Sequence, residues 1–145
     1  MSFFNSLINL ISFNNLSKEN KKFVFFSESN FYKFHYIELM NNLETYQKNS
    51  VILVTSDKKD FEFYKSKFKS YLIENKLILR VFFKILECKF LITTLPDLGN
   101  NFDLSENCEK YVYFFHSVTS VHKVYTHSSF ENFDIIFTNG DYQKK

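Results

Sequence analysis

Short, almost wholly apolar runs recur along the chain and are separated by polar or amphipathic stretches. A strand that is buried on both faces of a sheet has this appearance, because both sets of alternating side chains are then apolar. The runs that predict strands cover residues 22–26, 50–55, 71–73, 89–94, 111–115 and 133–138.

Between these runs, apolar residues recur at helical spacing over residues 31–48, 60–70 and 77–86. Strands that alternate with helices predict an α/β fold, in which right-handed crossovers join the strands of a mostly parallel sheet. We therefore predict a Rossmann-like, doubly wound domain over residues 21–145.

Residues 1–20 form a separate N-terminal segment. Residues 1–13 predict an amphipathic helix that lacks the basic start of a signal peptide and is too short to span a bilayer. Residues 14–20 are polar and predict a connector. Two interpretations of the helix stay open: it packs on its own or a missing domain, or it lies in a membrane interface. Its apolar face consists of Phe3, Phe4, Leu7, Ile8 and Ile11.

Composition narrows the class of partner. The 145 residues are 45% hydrophobic, which is enough for the core of one domain, and the net charge is only +2. The lysines are spread along the chain, and no helix-turn-helix, zinc-finger or RNA-binding pattern is present. We therefore predict no nucleic-acid partner.

The two cysteines, Cys88 and Cys108, lie far apart in the sequence and form no CxxC motif. Two such thiols are typical of a reduced intracellular compartment. Neither has a histidine or a second cysteine at the spacing of zinc ligands, so we predict no metal site.

The loop after the first predicted strand argues against a nucleotide cofactor. A dinucleotide-binding fold places its GxGxxG motif there, but residues 27–30 read Ser-Glu-Ser-Asn. The chain also lacks a GxxxxGK[ST] phosphate-binding loop. We therefore predict no cofactor and only a polar loop at the carboxyl edge of the sheet.

A second polar loop follows the strand at residues 89–94. Asp97 and Asn100 could bind hydroxyl groups there, and Gly99 could supply a positive φ angle or a close backbone approach. A purely structural turn remains an equal alternative.

The richest polar cluster follows the strand at residues 111–115. His116 stands where the strand gives way to a loop, which suits a general base that acts on an alcohol. The hydroxyls of Ser117 and Ser120 could hold a phosphate, and His122 lies beside them. A Ser–His nucleophile lacks the G-x-S-x-G turn, and the histidines lack a convincing set of metal ligands.

Three segments are informative together: residues 24–28, residues 94–100, and residues 114–122 with their continuation over 129–137. They contain a Pro-Asp-Leu-Gly-Asn loop and a His-Ser-x-x-Ser-x-His run. In combination they resemble the N-terminal half of the CDP-glycerol:poly(glycerophosphate) glycerophosphotransferase family, of the teichoic-acid polymerase and primase type. The resemblance extends from about residue 21 to the end of the chain.

This resemblance implies a transferase of the cell envelope with a GT-B fold, in which two Rossmann-like domains face a cleft. The first domain would receive a cell-surface polymer as acceptor, and the second would bind a CDP-activated polyol donor. Glycerol phosphate, or a related polyol phosphate, would pass to an acceptor hydroxyl with loss of CMP. By position, His116 would be the general base, with Ser117, Ser120 and His122 as nearby polar contacts.

The resemblance also implies acceptor contacts from Asp97 and Asn100, and a cytoplasmic enzyme that could lie peripherally at the inner face of the membrane. Because residues 140–145 start like another helix and then stop, we expect the first part of a longer protein, inactive without its donor-binding domain. Two alternatives stay open: a non-catalytic domain that binds a polymer or a partner subunit, and a GT-B glycosyltransferase that uses a nucleotide sugar.

Overall fold

The computed structural model describes residues 2–29, 33–115 and 127–138. Within these ranges, strands form close to each position where an apolar run predicts one. The strands are β1 (Phe23–Ser27), β2 (Val51–Thr55), β3 (Lys69–Leu72), β4 (Cys88–Thr93), β5 (Cys108–Phe114) and β6 (Ile135–Phe137).

Helices precede or connect these strands. Short 3₁₀ helices also occur, at Lys18–Lys21 before β1 and at His127–Phe130 before β6. The α-helices are α1 (Ser2–Asn14), α2 (Lys33–Tyr46), α3 (Lys58–Tyr64), α4 (Lys76–Ile85) and the single turn α5 (Leu98–Asn101).

The strands form one parallel sheet in the order β3-β2-β1-β4-β5-β6. β1 is central, and its Phe23 pairs with Val51 of β2 on one side and with Phe90 of β4 on the other. The chain moves outward from β1 to β3 and then returns to the opposite side of β1, so the direction of winding reverses between β1 and β4. This is the strand order of a doubly wound, Rossmann-like sheet, and the predicted fold class is confirmed.

Each face of the sheet carries its own core. Successive side chains of a strand point to opposite faces. Val24 and Phe26 of β1 therefore pack with the residues of α1 and α4, whereas Phe25 packs on the other face with Tyr36 and Met40 of α2. Helices on both faces explain why β2 is buried along its whole length.

Helix α1 packs on the sheet, but not through the apolar face that its periodicity emphasises. Its buried residues are Ser6, Leu10 and Phe13. The small Ser6 allows close approach, and its Oγ accepts a hydrogen bond from the backbone N–H of Asn75 at 3.1 Å. Phe4, which belongs to the predicted face, is 70% exposed. α1 thus packs on its own domain, as one interpretation predicts, while most of the predicted stripe faces solvent.

None of the helices in the described ranges is both long enough and apolar enough to cross a membrane.

Candidate functional site

The parallel sheet brings the ends of its strands to one edge, and a cleft lies at that edge. It has a volume of about 550 Å³ and spans the point between β1 and β4 where the winding reverses. Open α/β sheets place their ligands in this position, outside the carboxyl ends of the strands. The cleft is lined by Phe26, Glu28, Ser56, Glu74, Lys76, Leu79, Arg80, Leu95, Asn101 and Phe102.

Two cations and two carboxylates line this cleft. Lys76 and Arg80 lie one turn apart on α4, Glu28 follows β1, and Glu74 follows β3. In the described part of the chain, none of the four takes part in an ion pair. Among the described residues, therefore, no ion pair neutralises these four charges.

Glu28 has a proton affinity different from that of an ordinary surface glutamate. Although the residue as a whole is exposed, partial burial of its carboxyl group raises the pKa. Desolvation acts in this direction because it disfavours the charged form. A carboxyl group in a cleft with a raised pKa is a candidate for proton transfer.

Local hydrogen bonds fix the elements that carry these charges. The Asn75 side chain caps α4 by accepting hydrogen bonds from two backbone N–H groups of its first turn, which sets the start of the helix that bears Lys76 and Arg80. On the other side of the cleft, the Ser56 hydroxyl donates to the carbonyl oxygen of Glu28 at 3.3 Å. The loops after β1 and β2 are therefore tied together where the cleft opens.

The structure places both predicted residues at the same edge of the sheet: Asn100 lies on α5, and Asp97 directly precedes the helix as its N-cap residue. The Asn100 side chain donates a hydrogen bond to Asp97 Oδ1 at 3.3 Å, and the Asp97 backbone N–H donates to the carbonyl oxygen of Ser129 at 2.9 Å. Asn100 and Arg80 line a smaller pocket of about 190 Å³. Asn100 therefore lies near Arg80, whereas Asp97 forms hydrogen bonds that hold the start of α5 in place.

The predicted role of Gly99 is confirmed in one respect and wrong in the other. The left-handed backbone at this turn belongs to Asp97, with φ 54°, and Gly99 has no positive φ. A Cβ atom at Gly99 would instead overlap the side-chain amide of Asn132. The backbone of Gly99 therefore approaches the segment before β6 closely, but the exposed Asn132 side chain could rotate away from a larger residue.

The predicted cluster of His116, Ser117, Ser120 and His122 lies outside the described residues. The strand that precedes the cluster is described: β5 ends at Phe114, at the same edge of the sheet as the cleft. The general-base assignment to His116 stays a prediction, and so do the contacts assigned to the other three residues.

Lys76 and Arg80 were not predicted from the sequence. The strong amphipathic pattern of residues 77–86 indicates only a helix packed on a core, and the two cations are then read as its solvated side. One signal was present, because Arg80 is the only arginine in a lysine-rich chain. Within the described ranges, no group of His, Cys, Asp or Glu side chains is arranged to hold a metal ion.

We compared the chain with protein-family models, with curated proteins and with solved structures, and none of the three searches found a match. The resemblance to the glycerophosphotransferase family therefore remains a prediction from the motifs quoted above, and the fold and the cleft are described from this chain's own residues.

Proposed function

We propose that the chain is the acceptor-side, Rossmann-like domain of a glycerophosphotransferase-type enzyme that extends or primes a cell-surface polymer. The observation that carries this proposal is the cleft at the reversal point of the sheet, with Lys76 and Arg80 beside Glu28 and Glu74. The motif resemblance to the family supports the same function.

This set of charges suits a ligand that has both phosphates and hydroxyls. Arginine and lysine bind phosphate oxygens through charge-assisted hydrogen bonds. Carboxylates are acceptors only, so Glu28 and Glu74 pair best with hydroxyl donors. A poly(glycerol phosphate) or a related polyol phosphate presents both kinds of group along its chain.

In this proposal, His116 takes the proton from the acceptor hydroxyl, and Ser117, Ser120 and His122 contact the same region. Asp97 and Asn100 contribute acceptor contacts at α5. Phosphoryl transfer depends on positioning and charge stabilisation, and a second domain that binds the CDP-activated donor supplies much of the stabilisation. The product of donor cleavage is CMP.

Binding of a synthetic oligo(glycerol phosphate) to the chain, measured by titration calorimetry, tests the cleft. We expect Arg80→Met and Lys76→Met each to weaken binding by about tenfold to a hundredfold, because a hydrogen bond to a charged group contributes about 1.5–3 kcal/mol. Lys84→Met is the matched control: Lys84 is also on α4, but it contacts Asp103 at 3.7 Å and does not line the cleft. Equal losses in all three variants would reject the cleft as the site.

CMP release tests the chemistry. It is measured with CDP-glycerol and a polymer acceptor, in a polypeptide that carries residues 1–145 together with a donor-binding domain. We expect acceptor-dependent CMP release that is lost in His116→Ala. Release from a nucleotide sugar instead would assign a glycosyltransferase. Polymer binding without release from any donor would assign a non-catalytic binding domain.

We also propose that the domain contacts an anionic membrane, at the inner face of the cell membrane, through an outer apolar surface. α1 and α4 lie side by side and run in the same direction, since Ser6 contacts Asn75 and Phe13 contacts Phe82. Their outward side chains therefore form one surface. The outer apolar surface consists of Phe3, Phe4, Ile8 and Ile11 of α1 with Leu77, Val81 and Ile85 of α4, all of them exposed.

A row of cations runs beside the outer apolar surface, and this combination favours lipid as its partner. Lys76, Arg80 and Lys84 follow one another at intervals of one turn along α4, next to its exposed apolar residues. Apolar side chains flanked by cations are typical of surfaces that bind anionic headgroups.

Co-sedimentation with vesicles tests this surface. We expect binding to phosphatidylglycerol vesicles and little binding to phosphatidylcholine vesicles. The double variant Phe4→Ser, Ile8→Ser should lose the binding, whereas Phe34→Ser should keep it, because Phe34 is 71% exposed but lies on α2. If the double variant instead abolishes self-association of the chain without vesicles, the surface joins two copies and the lipid proposal is rejected.

A further inference from the structure

The two cysteines meet in the folded chain, although the sequence separates them widely. Cys88 is the first residue of β4 and Cys108 is the first residue of β5, and the two are direct partners in the parallel register. Their sulfur atoms lie 3.4 Å apart, with Cys88 as the hydrogen-bond donor to Cys108. Both residues are buried.

This geometry is compatible with a disulfide. Neighbouring strands lie about 4.8 Å apart, and disulfides form over Cα separations of about 4.4–6.8 Å. The sulfur atoms would need to approach by only about 1.4 Å to reach bonding distance. Both residues are at strand starts, where the backbone is held by the ladder on one side only, so a shift of this size is feasible.

Protonation and access also favour reaction at this pair. The hydrogen bond from the Cys88 thiol lowers the pKa of Cys108, while the same contact and burial raise the pKa of Cys88. Cys108 is therefore the better thiolate of the two, and the thiolate is the reactive form. Cys88 lines a cleft of about 440 Å³ at the amino edge of the sheet, so a small oxidant can approach the pair from the side of Cys88, whose sulfur lies 3.4 Å from that of Cys108.

We propose that Cys88 and Cys108 form an oxidative modification site, at which a peroxide converts the two thiols into an intramolecular disulfide. One thiolate attacks the peroxide O–O bond, which breaks, and a sulfenic acid and water are formed. The sulfur of the other cysteine then attacks the sulfenic sulfur, the S–S bond forms, and a second water leaves. The two thiols together lose two electrons and two protons, and the peroxide is reduced to water.

Treatment of the purified chain with hydrogen peroxide tests this proposal. After denaturation and alkylation of free thiols, we expect a monomer that lacks two hydrogen atoms and takes up no alkylating agent. Proteolysis should yield the peptides of Cys88 and Cys108 joined to each other, and dithiothreitol should restore both thiols. Free thiols, an intermolecular dimer or sulfinic acid as the main product would each overturn the proposal.

Two controls separate the effect of the strand register from ordinary thiol chemistry. Cys108→Ala should give no internal cross-link and should accumulate oxygen adducts or dimers under the same conditions. The wild-type chain in a denaturing concentration of urea should form much less of the internal disulfide than the folded chain. An equal yield in urea would overturn the assignment of the site to the paired strands.

Discussion

Phe13→Ala tests most directly how α1 is attached to the domain. The Phe13 side chain is 0% exposed, and its ring centroid lies 5.3 Å from that of Phe82 on α4 and 5.6 Å from that of Tyr71 on β3. Both ring pairs have the edge-to-face geometry that aromatic side chains prefer. This one side chain therefore joins the first helix to the helix and the strand beneath it.

The expected loss follows from the buried area. A buried phenylalanine removes on the order of 150 Å² from water, and at about 25 cal/mol per Å² this corresponds to about 4 kcal/mol. Measured Phe→Ala substitutions in cores fall at about 3–5 kcal/mol. Because total stabilities are about 5–15 kcal/mol, the variant should retain only part of its free energy of unfolding.

Equilibrium unfolding in urea measures this loss, with Phe4→Ala as the matched control on the same helix. We expect Phe4→Ala to change the free energy of unfolding by less than about 0.5 kcal/mol, because Phe4 faces solvent. If Phe13→Ala does not fold, Phe13→Leu should cost about 1–3 kcal/mol, because it keeps most of the buried volume but loses both ring pairs, and it permits the same comparison. A larger loss from Phe4 than from Phe13 would refute the packing of α1 described above.

Two further predictions concern the polar segments around β5 and β6. In Gly99→Ala the new Cβ atom meets only the end of the Asn132 side chain, which is exposed and can rotate away, so urea unfolding should show a change in the free energy of unfolding of less than about 0.5 kcal/mol. A loss of several times that size would show that Asn132 is held in place. In Asp134, the hydrogen bonds from Lys110 and from the Tyr111 backbone N–H lower the carboxyl pKa. Its stabilising contribution is therefore complete above the unfolded pKa of about 3.9 and is lost as the pH falls through the lower folded pKa. Urea midpoints should show Asp134→Asn to be less stable than wild type at pH 7 and nearly equal to it at the lowest pH at which both fold; an equal difference at both would contradict this linkage.

The sequence predicts the sheet well where burial is complete. β2 lies within the predicted run because all five of its residues are buried, and continuous apolarity is then a direct signal. β5 begins at Cys108, earlier than predicted, because Glu109 and Lys110 are exposed and interrupt the apolar run. Charged residues near the end of a strand interrupt the apolar pattern, so the sequence alone does not show that this part of β5 pairs with β4.

The face of α1 could not be predicted for a different reason. The helix has apolar residues on two sides, and periodicity does not indicate which of them meets the sheet. The choice depends on Ser6 and Asn9, whose side chains form hydrogen bonds to Asn75 and to the carbonyl oxygen of Leu72. Contacts between residues this far apart in sequence leave no local pattern.

The position of the cleft could be predicted, but the residues that line it could not. The carboxyl edge follows from the parallel topology, and Asn100 lies at that edge, in the smaller pocket beside Arg80 and not in the cleft. The cations of α4 lie at the cleft because α4 begins at Lys76, soon after β3 ends at Leu72, and helical periodicity alone does not show which polar side chains of α4 face that edge. The contact between Cys88 and Cys108 likewise depends on the register of two strands whose starts carry no local signal.

The contact between α1 and α4 has a consequence during synthesis. Ser6 is made 69 residues before Asn75. Because ribosomes add about 5–20 residues per second, about 3–14 s pass between the synthesis of α1 and the synthesis of the start of α4. During that interval Leu10 and Phe13 are as exposed as the outer apolar surface. A nascent chain interrupted before residue 75 would therefore present both apolar sides of α1 at once, which makes it a ready client for chaperones that hold unfolded segments.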